Sequence, residues 1–306
     1  MLDSILGGLP FFLEAVISGL MAGVMYALVA IGFVLIFKAS GVFNYAQGVM
    51  ALFAALTLVG LMEKFGMPVW VAIPCTMIAM IILAYLIDYL VLRHLVNEPP
   101  IILFMATIGL AYVLEGVGDI MWGSDVKVLD IGLPQGASDY MLDNFNLYIE
   151  KIEVVAAIVA TILVIVLAFF FQKTRIGRAL RAVADDHQAA LSIGISLRAI
   201  WRIVWSVSGF VALVAGIMWG SKSGVQFSLS LIALKALPVL ILGGFTSIPG
   251  AIVGGLIIGV GEKVAEIYAG PYVGGAIENW FAYILALAFL LIRPQGLFGE
   301  KIIERV

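Results

Sequence analysis

Apolar runs of about 18 to 25 residues recur from one end of the chain to the other, and they restrict the fold more than any other feature. A helix needs about 20 residues to cross the hydrocarbon core of a bilayer. The runs are continuous rather than alternating, which favours spanning helices over the strands of a membrane barrel. A composition of 63% hydrophobic and 12% charged residues agrees with this. We therefore predict an all-α polytopic membrane protein, with residues 1–306 forming a single transmembrane domain.

Nine of these runs are candidates for spanning helices. The run 229–246 is the least regular, because it contains Lys235 and Pro238. A broken or re-entrant segment at that place would reduce the number of spans to eight. The predicted spans are residues 10–36, 43–61, 68–92, 100–122, 152–171, 199–221, 229–246, 250–268 and 275–292.

Positive charge is concentrated in one loop. Six of the seventeen lysines and arginines lie between Lys173 and Arg202, so the positive-inside rule places the loop 172–198 in the cytoplasm. The loop 123–151 carries two lysines against five acidic residues, and it is predicted to be external. The net charge of −3 is small for this length, so the expected partner is the lipid bilayer and not nucleic acid.

Motifs that would indicate an enzyme or a metal site are missing from the sequence. It has no GxxxxGK[ST] phosphate loop, no HExxH and no second cysteine to pair with Cys75. The chain is therefore expected to bind no metal or cofactor of its own and not to hydrolyse ATP. Arginine-rich voltage-sensing helices and a carbonyl-lined filter motif are absent too. The class of protein that remains is a permeation pathway for a solute.

Polar residues inside the apolar segments are the candidates for lining such a pathway. The segment "SGVFNYAQG" (residues 40–48) places Asn44 and Gln47 between glycines, beside two predicted spans. It fits an interrupted helix whose amides face a cavity, and equally an interfacial turn with a helix cap at Asn44. Glu115 and Lys235 lie deepest in their spans, where a charge is expensive, and they are candidates as well. Other charges inside predicted spans are Glu14, Asp88, Glu262 and Lys263.

Small residues recur at helical spacing in two of the runs. Such stripes let two helices approach closely in lipid, and we interpret both as packing faces. The stripes consist of Ala15, Gly19, Gly23 and Ala27 in the first span, and of Gly250, Gly254, Gly255 and Gly259 in the segment 242–259.

A polar, helix-forming segment, "GRALRAVADDHQAALSIGIS" (residues 177–196), interrupts the apolar runs. Within it, Gln188, Ala189 and Ala190, followed by Gly194, read Q-A-A-x-x-x-G. This pattern resembles the E-A-A-x-x-x-G motif of permease subunits in bacterial ABC importers, a short cytoplasmic helix that docks into a cleft of the ATPase. The alternative is an amphipathic loop held on the membrane surface by its arginines.

The resemblance extends over residues 18–299 to the branched-chain amino acid permeases of the LivH type. Five blocks occur in the order typical of that family: "NYAQG" at 44–48, "ATIGL" at 106–110, "GRALRAVADD" at 177–186, "LGGFTSIPGA" at 242–251 and "RPQGLFG" at 293–299. The sequence departs from the general motif in having Gln188 in place of Glu and no Leu-Pro after it.

The resemblance implies a membrane subunit of an ABC importer in a bacterial inner membrane, forming half of the pathway for branched-chain or other hydrophobic amino acids. It also implies a cytoplasmic coupling helix. Its expected partners are a second, LivM-like permease, two ATP-binding subunits that hold ATP and Mg²⁺, and a periplasmic solute-binding protein. The residues expected to couple to the ATPase are Arg178, Arg181, Asp185, Asp186, Gln188, Ala189, Ala190 and Gly194.

Two alternatives remain open from the sequence. The same importer architecture serves relatives that carry urea, short amides or other small solutes, and an apolar bundle does not discriminate between these cargoes. A stand-alone transporter driven by an ion gradient would need carboxylates deep in the bundle, for which Glu115 is the one fair candidate.

Overall fold

The computed structural model describes residues 2–95, 98–145, 147–185, 190, 192 and 194–299, with the backbone alone at residues 2–10 and 185. Helices account for most of these residues, and short 3₁₀ helices lie at Leu92–His94, Phe227–Leu231 and Ile277–Asn279. The α-helices are α1 (Leu2–Ser40), α2 (Gln47–Phe65), α3 (Val69–Leu90), α4 (Pro100–Trp122), α5 (Asp139–Phe145), α6 (Lys151–Lys173), α7 (Arg175–Asp185), α8 (Leu197–Ser223), α9 (Ile232–Gly243), α10 (Ile248–Val273) and α11 (Phe281–Ile292).

Seven apolar helical segments of the described residues are long enough to cross a membrane, which confirms the predicted all-α polytopic fold. They comprise Phe11–Ser40 of α1, α2, Val69–His94, α4, α6, α8 and α10. The other two predicted spans are present as shorter apolar helices, at Phe227–Gly243 and Phe281–Ile292. The 12 residues of α11 rise about 18 Å, less than the roughly 30 Å of a hydrocarbon core.

The irregular run 229–246 contains a change of helix type. A 3₁₀ helix at Phe227–Leu231 passes directly into α9 at Ile232, and Pro238 lies inside α9. The Ser230 hydroxyl donates to the Phe227 carbonyl at 2.7 Å and so stabilises the tighter turn. The predicted interruption therefore falls at the start of this segment, and the proline does not end the helix.

The chain, predicted as one domain, divides into two compact units built from non-contiguous segments. Unit 1 comprises Met1–Ala30, Gly132–Ala160 and Leu234–Val306, and unit 2 comprises Ile31–Ile131 and Thr161–Ala233. In unit 2, α2 packs against α3, α4, α8 and the 3₁₀ helix Phe227–Leu231. Every residue of α2 from Gln47 to Gly60 is buried, so α2 is the core helix of this unit.

Unit 1 is built around a close crossing of α1 and α10. A Cβ atom added at Gly19 would lie 2.6 Å from the Cα atom of Val260, and one added at Gly259 would lie 2.6 Å from the Cα atom of Gly23. Real Cβ atoms do not approach so closely, so only glycine fits at these positions. Both stripes are packing faces, as their spacing predicts, and the structure brings Gly19 and Gly23 of α1 against Gly255 and Gly259 of α10.

Residues 293–299, "RPQGLFG", close the carboxyl end of α9. The Leu297 and Phe298 N–H groups donate to the Leu242 and Gly243 carbonyls at 2.8 and 3.1 Å. The last carbonyls of a helix have no partner within it, so these bonds supply what α9 lacks. The C-terminal strap, as we name residues 293–299, brings two of the family-like blocks together.

The predicted external loop 123–151 is held at both ends. In unit 2, Lys127 forms an antiparallel bridge with Val225, and its ammonium lies 3.1 Å from the Glu63 carboxylate. In unit 1, Lys151 donates to the Asp139 carboxylate at 2.8 Å, and this hydrogen bond holds the pKa of Asp139 below its ordinary value. The loop is therefore tethered to each unit by backbone and ionic contacts.

Candidate translocation and coupling sites

Asn44 and Gln47, the polar pair of the "NYAQG" block, lie where α1 has ended and α2 begins. Both are buried, at 0% and 1% exposure. The Asn44 side-chain oxygen accepts the Ala46 N–H at 3.1 Å, which fixes the turn leading into α2. The Asn44 side-chain nitrogen lies 3.5 Å from the Gln47 side-chain oxygen. The two amides are therefore joined to each other at the beginning of α2.

Gln47 connects three helices of unit 2. The Ser208 hydroxyl of α8 donates to the Gln47 side-chain oxygen at 2.7 Å, and it also lies 3.2 Å from the Gly32 carbonyl of α1. The Gln47 side-chain nitrogen donates to the Ser208 carbonyl at 3.4 Å. The Gln47 amide occupies the space where a side chain at Gly32 would lie. We call Gly32, Asn44, Gln47 and Ser208 the amide junction.

Thr107 attaches α4 to the same loop. Its hydroxyl accepts the Tyr45 N–H at 3.0 Å and donates to the Phe104 carbonyl at 2.8 Å. Thr107 is buried and belongs to the "ATIGL" block. Two blocks that are distant in sequence are thus joined by a hydrogen bond in the interior of unit 2.

We expect Gln47→Ala to destabilise the protein by about 1–3 kcal/mol, because it removes the acceptor of the Ser208 hydroxyl and leaves buried polar groups unsatisfied. Thermal unfolding of the detergent-purified chain measures this. The matched control is Asn144→Ala in α5, where the amide is exposed and a change within about 0.5 kcal/mol is expected. A Gln47→Ala variant with unchanged stability and impaired transport would instead indicate that Gln47 serves the solute.

Two apolar grooves open between helices of unit 2. One, of about 600 Å³, lies between α3, α6 and α8, and the other, of about 690 Å³, lies between α2, α3 and α4. Neither groove is lined by Asn44, Gln47 or Glu115. Glu115 is half-buried on α4, and the structure does not bring it into the amide junction.

Lys235 of α9 is half-buried in unit 1, with its ammonium 5.7 Å from the centre of the Tyr26 ring. The Tyr26 hydroxyl donates to Glu262 at 2.9 Å, and both residues are buried, at 5% and 2% exposure. The sequence marks Glu262 as a charge within a span but gives it no partner. Tyr26 was missed, because one tyrosine in an apolar run is indistinguishable from a packing aromatic.

An ion pair joins α3 to α8 near their ends. The Asp88 carboxylate lies 3.0 Å from the Arg202 guanidinium, which also donates to the Tyr85 hydroxyl at 2.9 Å. Asp88 is buried at 5% exposure. The pair explains how a charge is tolerated inside a predicted span, since the partner is supplied by a neighbouring helix.

Arg178 and Arg181 belong to the amphipathic helix α7. The Thr174 hydroxyl accepts the Gly177 N–H at 2.9 Å and caps the start of this helix. Leu180 is buried on one side, whereas Arg178 is exposed and Arg181 is half-buried. The structure thus exposes one of the two predicted coupling arginines, Arg178.

Gly194 of the Q-A-A-x-x-x-G pattern ends a helical turn. Ala190 and Ser192 are helical, and the Ile195 N–H donates to the Ala190 carbonyl at 3.0 Å. Gly194 has φ +84°, the left-handed conformation that glycine adopts at such helix ends. Asp186, Gln188 and Ala189 lie outside the described residues, as does the Asp185 side chain.

Ala190 and Gly194 differ in accessibility. Ala190 is 1% exposed and is covered by its own chain, so its methyl group is not offered to a partner in this structure. Gly194 is exposed, and a Cβ atom added there meets no other atom within 4 Å. Of these two residues, Gly194 is the one with an open surface for another protein.

Comparison with known proteins points to one family. The family model described as "Branched-chain amino acid transport system / permease component" matches residues 15–293. The high-affinity branched-chain amino acid transport system permease protein LivH of Salmonella typhimurium is 27% identical over 97% of this chain and 98% of that protein. Its counterpart BraD of Pseudomonas aeruginosa is 28% identical over 96% and 98%. The autoinducer 2 import system permease protein LsrC of Shigella flexneri is 26% identical over 46% of this chain and 36% of that protein.

Proposed function

Because the chain belongs to the branched-chain amino acid transport system permease family, we propose that it forms half of the translocation pathway of an ABC importer for branched-chain or other hydrophobic amino acids. The observation that carries this proposal is similarity to LivH and BraD over nearly the whole length of both chains. The long apolar helices support a multi-pass membrane protein, and the bacterial inner membrane is its proposed location.

The proposed partners follow from the same relationship. A second, LivM-like permease completes the pathway, two ATP-binding subunits hold ATP and Mg²⁺, and a periplasmic binding protein delivers the solute. This chain binds no cofactor itself and acts as a transport subunit, not as an enzyme. The phosphate loop that ATP hydrolysis would need is absent from the sequence.

Coupling to the ATPase is proposed to occur through residues 172–198 on the cytoplasmic side, with residues 123–151 outside. The exposed Arg178 on α7 and the helical turn that ends at Gly194 support this. The arginines suit a partner surface of negative charge, since complementary charges orient a docking partner. Asp185, Asp186, Arg181, Gln188, Ala189 and Ala190 remain proposed members of the same coupling segment.

The experiment that tests this function is reconstitution in liposomes. We expect ATP-dependent leucine uptake from the chain together with its LivM-like partner, its ATPase subunits and its binding protein, and none when the ATPase subunits are omitted. Uptake by this chain alone under a proton or sodium gradient would contradict the proposal. Such a result would favour an ion-coupled transporter, in which Glu115 becomes the leading candidate for the ion site.

A second cargo class is favoured by the match to LsrC, whose name assigns it to autoinducer 2 import. That match covers less than half of this chain, so it supports the importer architecture with another small solute. Thermal-shift measurements on the cognate binding protein, with leucine, urea, short amides and autoinducer 2, distinguish an amino acid cargo from another small solute. Stabilisation by leucine alone supports the amino acid proposal.

A further inference from the structure

Three side chains of unit 1, two of them buried and one half-buried, place a carboxylate, a phenol and an ammonium together. Glu262 of α10 accepts a hydrogen bond from the Tyr26 hydroxyl of α1 through one oxygen, at 2.9 Å. Lys235 of α9 holds its ammonium 5.7 Å from the centre of the Tyr26 ring. Each charge therefore contacts a different part of the same tyrosine.

The charges of Glu262 and Lys235 do not neutralise each other through a direct contact. The second carboxylate oxygen of Glu262 is buried and has no hydrogen-bond partner among the described residues. Lys235 and Glu262 form no ion pair among the described residues, although the positive charge of Lys235 acts electrostatically on the Glu262 carboxylate. A buried carboxylate with an unsatisfied oxygen is costly in a membrane-spanning helix, so this group lacks a cationic hydrogen-bond donor.

The neighbouring charges do not provide that donor. Lys263 is paired with Glu278 at 3.3 Å, and the Glu266 carboxylate accepts the Ala276 and Glu278 N–H groups at 3.0 and 3.1 Å. Glu278 also acts electrostatically on Tyr26 and on Glu262. Neither Lys263 nor Lys235 therefore donates a hydrogen bond to the Glu262 carboxylate.

A small cation alone would satisfy Glu262 but would leave Lys235 without an anion. A molecule that carries an ammonium and a carboxylate on the same carbon atom would satisfy Glu262 and Lys235 at once.

We propose that Glu262 and Lys235 form a subsite for the zwitterionic end of an α-amino acid, Glu262 binding its ammonium and Lys235 its carboxylate, with Tyr26 holding Glu262 in position. The proposal rests on the proposed function, and it names the chemistry by which the permease recognises its cargo. Glu262 is 2% exposed, so the subsite is closed in this conformation. Entry of the solute into this subsite therefore requires α1, α9 and α10 to separate during transport.

The test uses the complete importer in liposomes, with its binding protein saturated with L-leucine. Glu262→Gln removes the charge but keeps an oxygen acceptor for Tyr26, and Lys235→Met removes the ammonium at similar length. We expect leucine uptake to fall about tenfold or more in each, because each variant removes a charged hydrogen-bonding partner of the solute. The yield of assembled complex and the Tm should remain those of the wild type.

Two matched variants separate recognition from packing. Lys235→Arg keeps the positive charge and should retain uptake to within about threefold, since arginine also binds carboxylates. Tyr26→Phe removes the hydrogen bond but neither charge, and it should lower the Tm more than Glu262→Gln does. If Glu262→Gln and Lys235→Met lose Tm and uptake in parallel with Tyr26→Phe, the group is structural and the subsite is refuted.

The remaining outcomes distinguish this inference from the function on which it rests. Wild-type leucine uptake together with wild-type rates in Glu262→Gln and Lys235→Met overturns the subsite and leaves the amino acid importer standing. A wild-type importer that takes up urea or autoinducer 2 but no amino acid overturns the proposed cargo, and the zwitterion subsite with it.

Discussion

Gly194→Trp is expected to weaken association with the ATPase subunits by about one to two decades. Gly194 is exposed and ends a helical turn in the proposed coupling segment. A bulky side chain in a packed interface costs about 1–3 kcal/mol, and about 1.4 kcal/mol is a factor of ten in an equilibrium constant. Co-purification of the ATPase with the variant measures the association. Uptake and solute-stimulated ATP hydrolysis should fall with it.

The control for Gly194→Trp is Gly194→Asn. Gly194 has φ +84°, which asparagine tolerates better than other L-residues. This variant therefore tests the effect of replacing glycine at a positive φ without adding a large side chain. Most of the ATPase should still co-purify with the Gly194→Asn variant. Ala190→Trp is not suitable, because Ala190 is covered by its own chain and the change would act on folding. Full complex yield and full hydrolysis in Gly194→Trp would mean that this turn lies outside the interface.

Gly255→Ala is expected to prevent normal packing of unit 1. The added Cβ would lie 2.5 Å from the Gly23 carbonyl oxygen and 3.0 Å from the Ala27 Cβ, so α1 and α10 must separate. Overpacking of a close contact costs about 1–3 kcal/mol and occasionally more. We expect a lower Tm of the purified permease and a smaller yield of monodisperse protein.

Gly116→Ala in α4 provides the matched comparison. Gly116 also lies in a spanning helix, but an added Cβ there meets nothing within 4 Å. Alanine has a higher helix propensity than glycine by about 1 kcal/mol, so the Tm should remain unchanged or rise. Equal losses of Tm in the two variants would show that the α1–α10 crossing is not the cause.

The spanning helices could be predicted from the sequence because each apolar run is long enough to satisfy its own backbone hydrogen bonds as a helix in lipid. The stripes of Gly19 and Gly23, and of Gly255 and Gly259, indicated packing faces because small residues at helical spacing lie on one side of a single helix. That these two stripes meet is a matter of tertiary structure. The 3₁₀ helix at the start of the run 229–246 could not be predicted from the sequence either. Pro238 indicated an interruption at its own position, but the helix continues through it.

The candidate site was less accessible to sequence reasoning. Asn44 and Gln47 were identified as a polar pair, but the Ser208 partner of Gln47 lies in α8, far along the chain. Tyr26 becomes significant only through its contact with Glu262. Residue type and spacing report which groups are polar, whereas hydrogen-bond partners depend on how separate helices are brought together. Whether Asn44, Gln47, Glu115 and Lys235 line the pathway remains a prediction.

The C-terminal strap has a consequence for biosynthesis. The terminal carbonyls of α9 receive the Leu297 and Phe298 N–H groups only after α10, α11 and the strap have been synthesised. Until then, α10 and α11 must be inserted while the end of α9 is still unpaired. Nascent chains that stop before the strap would therefore expose those carbonyls.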